Sequence, residues 1–351
     1  MNKVGVFIKK TTSYRLFLPI FCLVLVLLSN LLKTPGFFEV SIKNGVLYGY
    51  IIDVINRASD LVILSVGMTL VVAASGGTDI SVGAVMSVAG AVCCYILAGG
   101  QQTVNAFQNP YLLGILAAVL AGILCGSFNG FLVAKMKIQP MVATLILFTA
   151  GRGIAQLITK GQITYIRVDT YKMLGSSIPK IPIPTPIFVA IFVVIITSVL
   201  LKKTTLGLYI QSVGINPKAS RLVGINSNKI IFFAYVFCGL CAGVAGLVAS
   251  SRIYSADANN IGLNLELDAI LAVALGGNSL SGGKFSLIGS VIGAYTIQAL
   301  STTLYAMSVS PDQIPVYKAI VVVIIVTLQS QEFHKYMRKL SAKWNTKSEV
   351  A

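Results

Sequence analysis

Long apolar segments alternate with short polar segments along most of the chain. A membrane-crossing helix needs about 20 mostly apolar residues, and ten segments approach that length. They are about Arg15 to Leu32, Ala58 to Ser75, Val82 to Leu97, Leu112 to Ala134, Met141 to Thr159, Pro186 to Leu201, Ile230 to Ser250, Leu267 to Leu275, Phe285 to Ala306 and Val316 to Leu328. The pattern predicts an all-α polytopic membrane protein with about ten transmembrane helices, some of them broken or short.

Two of these boundaries need comment. The segment from Leu267 to Leu275 is too short to cross as written, so we expect the helix to begin near Leu263 or to use the polar segment that follows. The stretch from Gly49 to Asn56 is expected to form a short interfacial helix before the second crossing.

Two glycine-rich polar segments interrupt the apolar pattern. Residues 75–83 read Ser-Gly-Gly-Thr-Asp-Ile-Ser-Val-Gly, and residues 275–285 read Leu-Gly-Gly-Asn-Ser-Leu-Ser-Gly-Gly-Lys-Phe. Aligned without gaps, they match at four positions: Gly76, Gly77, Ser81 and Gly83 correspond to Gly276, Gly277, Ser281 and Gly283. We therefore expect two related helix breaks, and a parallel internal repeat is compatible with them.

Composition excludes a soluble protein. The chain is 56% hydrophobic and 11% charged, whereas a soluble domain carries roughly 25% charged residues. The formal net charge of +16 does not indicate nucleic-acid binding, because no folded polar domain is present to carry a basic face. The positive-inside rule explains the charge better, since a cytoplasmic N-terminus places most Lys and Arg residues inside.

This orientation puts both termini in the cytoplasm and defines the domains. Residues 1–14 are expected to form a cytoplasmic segment, residues 15–330 the transmembrane domain with a cytoplasmic loop at 202–229, and residues 331–351 a basic cytoplasmic tail. Both glycine-rich breaks then open toward the cytoplasm or lie in the inner half of the membrane.

Catalytic and cofactor chemistry find little support in the sequence. The six cysteines lie in apolar segments, and Cys238 and Cys241 have neither a second pair nor a nearby histidine, so no metal site is expected. A phosphate-binding loop needs a glycine where Asn278 stands and a hydroxyl where Phe285 stands. The single histidine, His334, lies in the basic tail. We expect no cofactor and no enzymatic activity.

Small residues indicate how the helices pack. Glycines recur every fourth position in three apolar segments, the spacing that lets helix backbones approach closely in lipid. They are Gly122, Gly126 and Gly130, then Gly239 and Gly243, then Gly289 and Gly293. The spacing leaves open whether their partners lie in the same chain or in a second copy.

Polar residues in apolar surroundings are the candidates for the transport pathway or the helix breaks. Asp79 has a capping role, with Thr78 or Ser81, as one interpretation and direct contact with a transported solute as the other. Arg152 either extends to the outer interface or faces an interior cavity together with Gln156. The full set is Gly76, Gly77, Asp79, Ser81, Asn129, Arg152, Gln156, Gly276, Gly277, Asn278 and Gln298.

The cytoplasmic loop at 202–229 contains a predicted short helix. Asn216 is placed to cap it, Pro217 suits its first position and Gly224 follows its end. An isolated helix of this length is marginal in water, so it needs a docking surface. That surface is either the chain's own membrane domain or, as we prefer, a cytosolic subunit.

These motifs resemble the permease subunits of bacterial ABC importers for monosaccharides, the ribose, xylose and galactose class. The resemblance covers nearly the whole chain and rests on residues 67–83, 207–226 and 267–283. Residues 137–147, 151–159 and 255–260 are similar to the galactofuranose importer subgroup. Thr78 and Ile80 depart from the family, which usually has isoleucine and leucine there.

The resemblance implies a bacterial inner-membrane permease that imports a monosaccharide by alternating access. Its implied partners are a cytosolic ABC ATPase, a periplasmic sugar-binding protein, a second permease copy or a paralogue, and membrane lipid. The implied ATPase-coupling residues are Gly207, Gly214, Asn216, Pro217, Ala219, Arg221 and Gly224. The alternative is an ion-coupled secondary transporter that uses Asp79 at a broken helix.

Overall fold

Helices dominate the computed structural model, which describes residues 16–43, 45–179 and 181–329. They are α1 (Phe17–Lys33), α2 (Tyr50–Ser75), α3 (Val82–Leu97), α4 (Tyr111–Ala134), α5 (Pro140–Ile158), α6 (Asp169–Lys172), α7 (Thr185–Lys203), α8 (Leu206–Ile215), α9 (Pro217–Leu222), α10 (Ser227–Arg252), α11 (Leu265–Leu275), α12 (Leu287–Ala306) and α13 (Ile314–Gln329).

Each of the ten apolar segments falls on one of these helices. Within the described residues, α2, α4, α5, α7, α10 and α12 are long and apolar enough to cross a membrane. α11 has only 11 residues, or about 16 Å of helix, which is too short to span. The count of ten crossings and the cytoplasmic location of both termini remain predictions. The start of the first segment and the basic tail with His334 lie outside the described residues.

The structure refines three expectations. The helix at Gly49 to Asn56 is not separate, because α2 runs without a break from Tyr50 to Ser75. The eighth apolar helix begins at Leu265, before Leu267 and close to the expected start near Leu263. The loop at 202–229 contains two helices, α8 and α9, where one was predicted.

The fold also contains two small sheets that the apolar pattern does not predict. Strands β1 (Ser41–Lys43) and β2 (Val46–Tyr48) pair antiparallel. A second sheet has the order β3-β4-β5 and consists of β3 (Thr103–Val104), β4 (Thr164–Ile166) and β5 (Ser255–Ala256). In it, β3 runs parallel to β4, and β4 runs antiparallel to β5. The second sheet ties together segments that follow α3, α5 and α10.

α2 lies at the centre of the molecule. Its residues from Ala58 to Ala74 are all buried, as expected for a helix that is apolar on every side. It packs against α7, α8, α10, α11 and α12.

The glycines that recur every fourth position bring helices into backbone contact within this chain. A Cβ on Gly126 would lie 2.4 Å from the carbonyl oxygen of Tyr235, and one on Gly239 would lie 2.3 Å from the carbonyl oxygen of Gly122. These contacts join α4 to α10. A Cβ on Gly293 would likewise lie 2.1 Å from the Ala272 oxygen, which joins α12 to α11. The helices that pack against these glycines therefore belong to the same chain.

Gly239→Ala should lower the stability of the helix bundle. The new methyl group has no room against α4, and overpacking of this kind costs about 1–3 kcal/mol. The matched control is Gly153→Ala on α5, because a Cβ there meets nothing within 4 Å. Thermal unfolding in detergent measures both variants. Equal melting temperatures would contradict the close α4–α10 contact.

Candidate coupling site at the glycine breaks

The first glycine-rich break ends α2 and begins α3. Gly76 adopts φ +63°, a left-handed conformation that suits the residue after a helix end. Gly77 lies against the ring of Pro140, where a Cβ would be 2.4 Å from the proline Cβ. The chain therefore turns between α2 and α3 in a space that side chains would fill.

Asp79 is buried in this break and holds its backbone together. Its Oδ1 accepts hydrogen bonds from the backbone N–H of Ser81 at 2.9 Å and from the Ser81 hydroxyl at 2.6 Å. Asn129 on α4 donates to Ser81 Oγ at 2.8 Å, and its Nδ2 lies 3.5 Å from each Asp79 oxygen. Asp79 thus serves the residue before α3 and not the first-turn amides of that helix.

The second break is braced in a comparable way. Gly276 touches the backbone of Gly289, and Gly277 adopts φ +77°. The Asn278 side chain donates to Ser290 Oγ at 2.8 Å and accepts from the Ser286 N–H at 2.5 Å. A hydroxyl on α2 completes the link, since Thr69 lies 2.6 Å from Ser290 Oγ. Each break is therefore tied by a buried amide side chain to a neighbouring helix.

The two breaks meet each other. The Gly283 N–H donates to the Ala73 carbonyl oxygen on α2 at 2.9 Å. A Cβ on Gly76 would lie 2.9 Å from the Ser281 carbonyl oxygen, and one on Gly282 would lie 3.0 Å from the Gly76 Cα. We call this contact, with Gly214 described next, the glycine junction.

Helix α8, in the loop at 202–229, packs into the glycine junction. A Cβ on Gly214 would lie 1.8 Å from the Ala73 carbonyl oxygen and 2.6 Å from the Gly283 backbone nitrogen. The contact is therefore backbone against backbone. Gly207, at the other end of α8, packs against the Leu201 carbonyl oxygen. Of the predicted coupling residues, Gly214 is the one that touches both breaks.

Helix α9 follows α8 and has the predicted cap. Asn216 Oδ1 accepts from the backbone N–H groups of Lys218 and Ala219, each at 3.0 Å, and Pro217 occupies the first turn. Gly224 follows with φ +83°. Leu222 and Val223 are 90% and 75% exposed. These exposed apolar side chains suit the docking surface that the sequence predicts for this helix, although sequence reasoning did not single out Leu222 and Val223.

A small polar cluster fixes α9 to the start of α10. Arg221 donates to Asn228 Oδ1 at 2.9 Å, and Lys137 from the α4–α5 connection donates to the same oxygen at 2.5 Å. Desolvation, and secondly the nearby Arg221 charge, lower the pKa of Lys137. The cluster links α9 to the α4–α5 connection, which also carries Pro140.

The side chains of Arg152 and Gln156 form hydrogen bonds with the loop before α11 and not with the glycine junction. Arg152 donates to the backbone oxygens of Ala258, Asn259 and Ile261 at 3.2, 2.9 and 2.9 Å. Gln156 donates to Asn259 Oδ1 at 2.6 Å. Both side chains therefore hold the loop before α11. Arg152 Nη2 is buried and has no hydrogen-bond partner among the described residues, so a role for Arg152 in the pathway stays a prediction.

Two partly buried ion pairs were not anticipated. Arg252 at the end of α10 pairs with Asp60 on α2 at 2.6 Å, and Lys318 on α13 pairs with Asp268 on α11 at 2.7 Å. Each pair has one signal in the sequence, a charged residue inside an apolar segment. Gln298, by contrast, was a predicted candidate, and it lines a cavity beside both pairs.

Broken helices inside an apolar bundle are typical of membrane transport proteins, in which the breaks lie beside the solute path. No cluster of metal-binding side chains occurs within the described residues. The chain belongs to the family described as branched-chain amino acid transport system / permease component, whose model matches residues 50–328. It is therefore a transport subunit and not an enzyme.

Curated relatives cover nearly the whole chain. The galactofuranose transporter permease protein YtfT of Escherichia coli is 45% identical over 92% of this chain and 92% of its own length. The fructose import permease protein FruF of Bifidobacterium longum is 35% identical over 98% of this chain and 96% of its own length. The ribose import permease protein RbsC of E. coli is 34% identical over 85% of this chain and 88% of its own length. No solved structure matches. The relatives indicate a multi-pass protein of the bacterial inner membrane.

Asp79→Asn should keep the first break intact, whereas Asp79→Leu should not. Asparagine retains an oxygen that accepts from Ser81, but leucine leaves the buried Ser81 N–H and the Asn129 amide without that partner. Each unsatisfied buried group costs about 1–3 kcal/mol. Thermal unfolding in detergent compares the two variants. If Asp79→Asn is as unstable as Asp79→Leu, the hydrogen bonds are not what makes Asp79 necessary.

Proposed function

We propose that the chain is the membrane-spanning subunit of an ATP-driven ABC importer that moves a monosaccharide from periplasm to cytoplasm. The observation that carries the proposal is the 45% identity to a galactofuranose transporter permease across 92% of both chains. The family description names amino acids, but these relatives import sugars. From the name of this relative, we propose galactofuranose as the sugar.

The glycine junction supports a mechanical route from ATP to transport. A cytosolic ATPase would dock on α9 through the exposed Leu222 and Val223. α9 follows α8 directly, and Gly214 on α8 lies against the ends of both breaks. Because these contacts are between backbones, a displacement of α9 passes to α2 and to the segment before α12 without being absorbed by side-chain rotation.

The other partners of the proposed importer act on the membrane and periplasmic sides. A periplasmic binding protein would deliver the sugar to the face opposite α9, and a second permease copy or a paralogue would complete the pathway. The apolar outer faces of α4, α5 and α7 are mostly exposed in the single chain. Lipid or the second permease would cover them.

The ion-coupled alternative receives no support from the relatives. It also needs Asp79 to bind and release a cation or proton. In the structure, Asp79 Oδ1 is engaged by Ser81 from both the backbone and the hydroxyl. The ATP-driven importer is therefore the function that we propose.

The energy source tests this proposal directly. The chain is reconstituted in vesicles with its ATPase, and uptake of radiolabelled sugar is measured in the presence of the binding protein. We expect uptake to require ATP and to survive a protonophore. Uptake that persists without the ATPase and collapses with the protonophore would establish the ion-coupled mechanism instead.

Gly214→Ala should separate ATP hydrolysis from transport. The methyl group displaces α8 from Ala73 and Gly283, so the ATPase still docks on α9 but its movement no longer reaches the breaks. We expect sugar uptake to fall about tenfold or more, a barrier change of about 1.4 kcal/mol, while the ATPase remains bound. Arg221→Ala should act in the same direction by releasing α9 from Asn228.

Gly153→Ala is the matched control for Gly214→Ala, because it adds the same methyl group on a helix where there is space. Co-purification of the ATPase with each variant checks assembly. Wild-type uptake by Gly214→Ala, with the ATPase bound, would show that the glycine junction does not carry the coupling.

A further inference from the structure

A cavity of about 510 Å³ opens between α2, α10, α11, α12 and α13. Asp60 and Arg252 form one side, Asp268 and Lys318 another, and Gln298 on α12 lies between the helices. Asp60 is 15 residues before Ser75 on α2 (75 − 60), which places it about 22 Å along the helix from the glycine junction. In the predicted orientation, this is the periplasmic end.

The charges at this cavity are already balanced. Arg252 makes a two-pronged contact with Asp60, at 2.6 and 3.3 Å. Lys318 pairs with Asp268 at 2.7 Å, and both side chains are mostly buried. The third cation, Arg57, pairs with Asp53 at 2.7 Å. Each cation that lines the cavity thus has a carboxylate partner.

Balanced pairs select against an ionic ligand. A charged ligand that binds one member leaves the other without its partner, and breaking a largely desolvated ion pair is unfavourable. A neutral ligand avoids that penalty. It can still accept hydrogen bonds from the outer N–H groups of the cations and donate to carboxylate lone pairs that the pairs leave free.

Uncharged polar groups in the cavity suit a polyhydroxylated molecule. Gln298 donates from its Nε2 to Thr302 at 3.3 Å, and its side-chain oxygen has no hydrogen-bond partner among the described residues, so it can accept from a hydroxyl. Tyr305 adds a ring that is about half exposed. An apolar ring face beside fixed polar groups matches a sugar, which carries both C–H faces and hydroxyls.

We propose that this cavity is the site that receives the neutral monosaccharide on the side of the molecule opposite the glycine junction, with Gln298 as a ligand-contacting residue. The proposal rests on the proposed import function and adds the location and charge preference of the binding site. Its volume falls within the range of about 300–1,000 Å³ that is usual for small-molecule sites.

Gln298→Leu tests the site because it removes the amide at nearly constant size. The complete complex in vesicles is supplied with radiolabelled galactose, ribose or fructose, each loaded on the binding protein. We expect uptake to fall about tenfold, the loss of about 1.4 kcal/mol of interaction. Stimulation of the ATPase by the binding protein should stay within about twofold of wild type, which corresponds to a change of no more than about 0.4 kcal/mol.

Gln108→Leu is the matched control. Gln108 is exposed on the α3–α4 connection, and its side chain bonds only to the nearby Ala106 oxygen, at 3.3 Å. If Gln298→Leu takes up sugar as well as Gln108→Leu does, the cavity is not the site, although the import function stands. If the wild-type complex imports none of the three sugars with ATP, the import function itself fails.

A labelling experiment decides the matter if Gln298→Leu assembles poorly. Gln298→Cys is treated with a membrane-impermeant thiol reagent added outside the vesicles. We expect modification from the periplasmic face, slowed by sugar-loaded binding protein and not by the empty protein. Modification from the cytoplasmic face alone, or with no protection by sugar, would overturn the proposal.

Discussion

The structure depends on backbone contacts that admit no side chain. At Gly214 and Gly76, parts of the chain that are distant in sequence approach so closely that a single methyl group would collide with the carbonyl oxygen of Ala73 or of Ser281. The same kind of contact joins α4 to α10 through Gly126 and Gly239. Van der Waals packing of this type holds helices together in lipid, where burial of apolar surface gives little net gain.

The second constraint is the need to satisfy polar groups in apolar surroundings. A helix that ends inside a bundle leaves backbone groups without partners. Buried side chains solve this problem at both breaks: Asp79 accepts from the Ser81 N–H, and Asn278 accepts from the Ser286 N–H and donates to the Val273 carbonyl oxygen. The breaks are therefore fixed elements of the fold, as the proposed coupling through α8 requires.

Much of the fold could be predicted from the sequence because apolar length is a strong signal. All ten apolar segments fall on helices, and the Asn216 cap forms because Asn and Pro have local preferences that act over a few residues. The family resemblance also agrees with the family match. The two sheets were missed because strands of two or three residues have no periodicity to detect.

The candidate site was less accessible to sequence reasoning. The glycines of both breaks could be named, but their contact with Gly214 joins residues far apart in the chain, and a single sequence carries no signal for it. For the same reason the Asp60–Arg252 and Asp268–Lys318 pairs were not anticipated. Arg152 was recognised as unusual, but its partners are backbone oxygens. Every residue has a backbone oxygen, so the sequence does not show which residues Arg152 contacts.

The small sheet formed by β3, β4 and β5 has a consequence for how the molecule can move. Its strands follow α3, α5 and α10, so hydrogen bonds fasten these three helices to one another at the end remote from α9. They cannot slide past each other there without unpairing the sheet. In the proposed importer, a rearrangement that starts at α9 would therefore rotate these helices about the sheet, with the largest displacement at the end nearest α9.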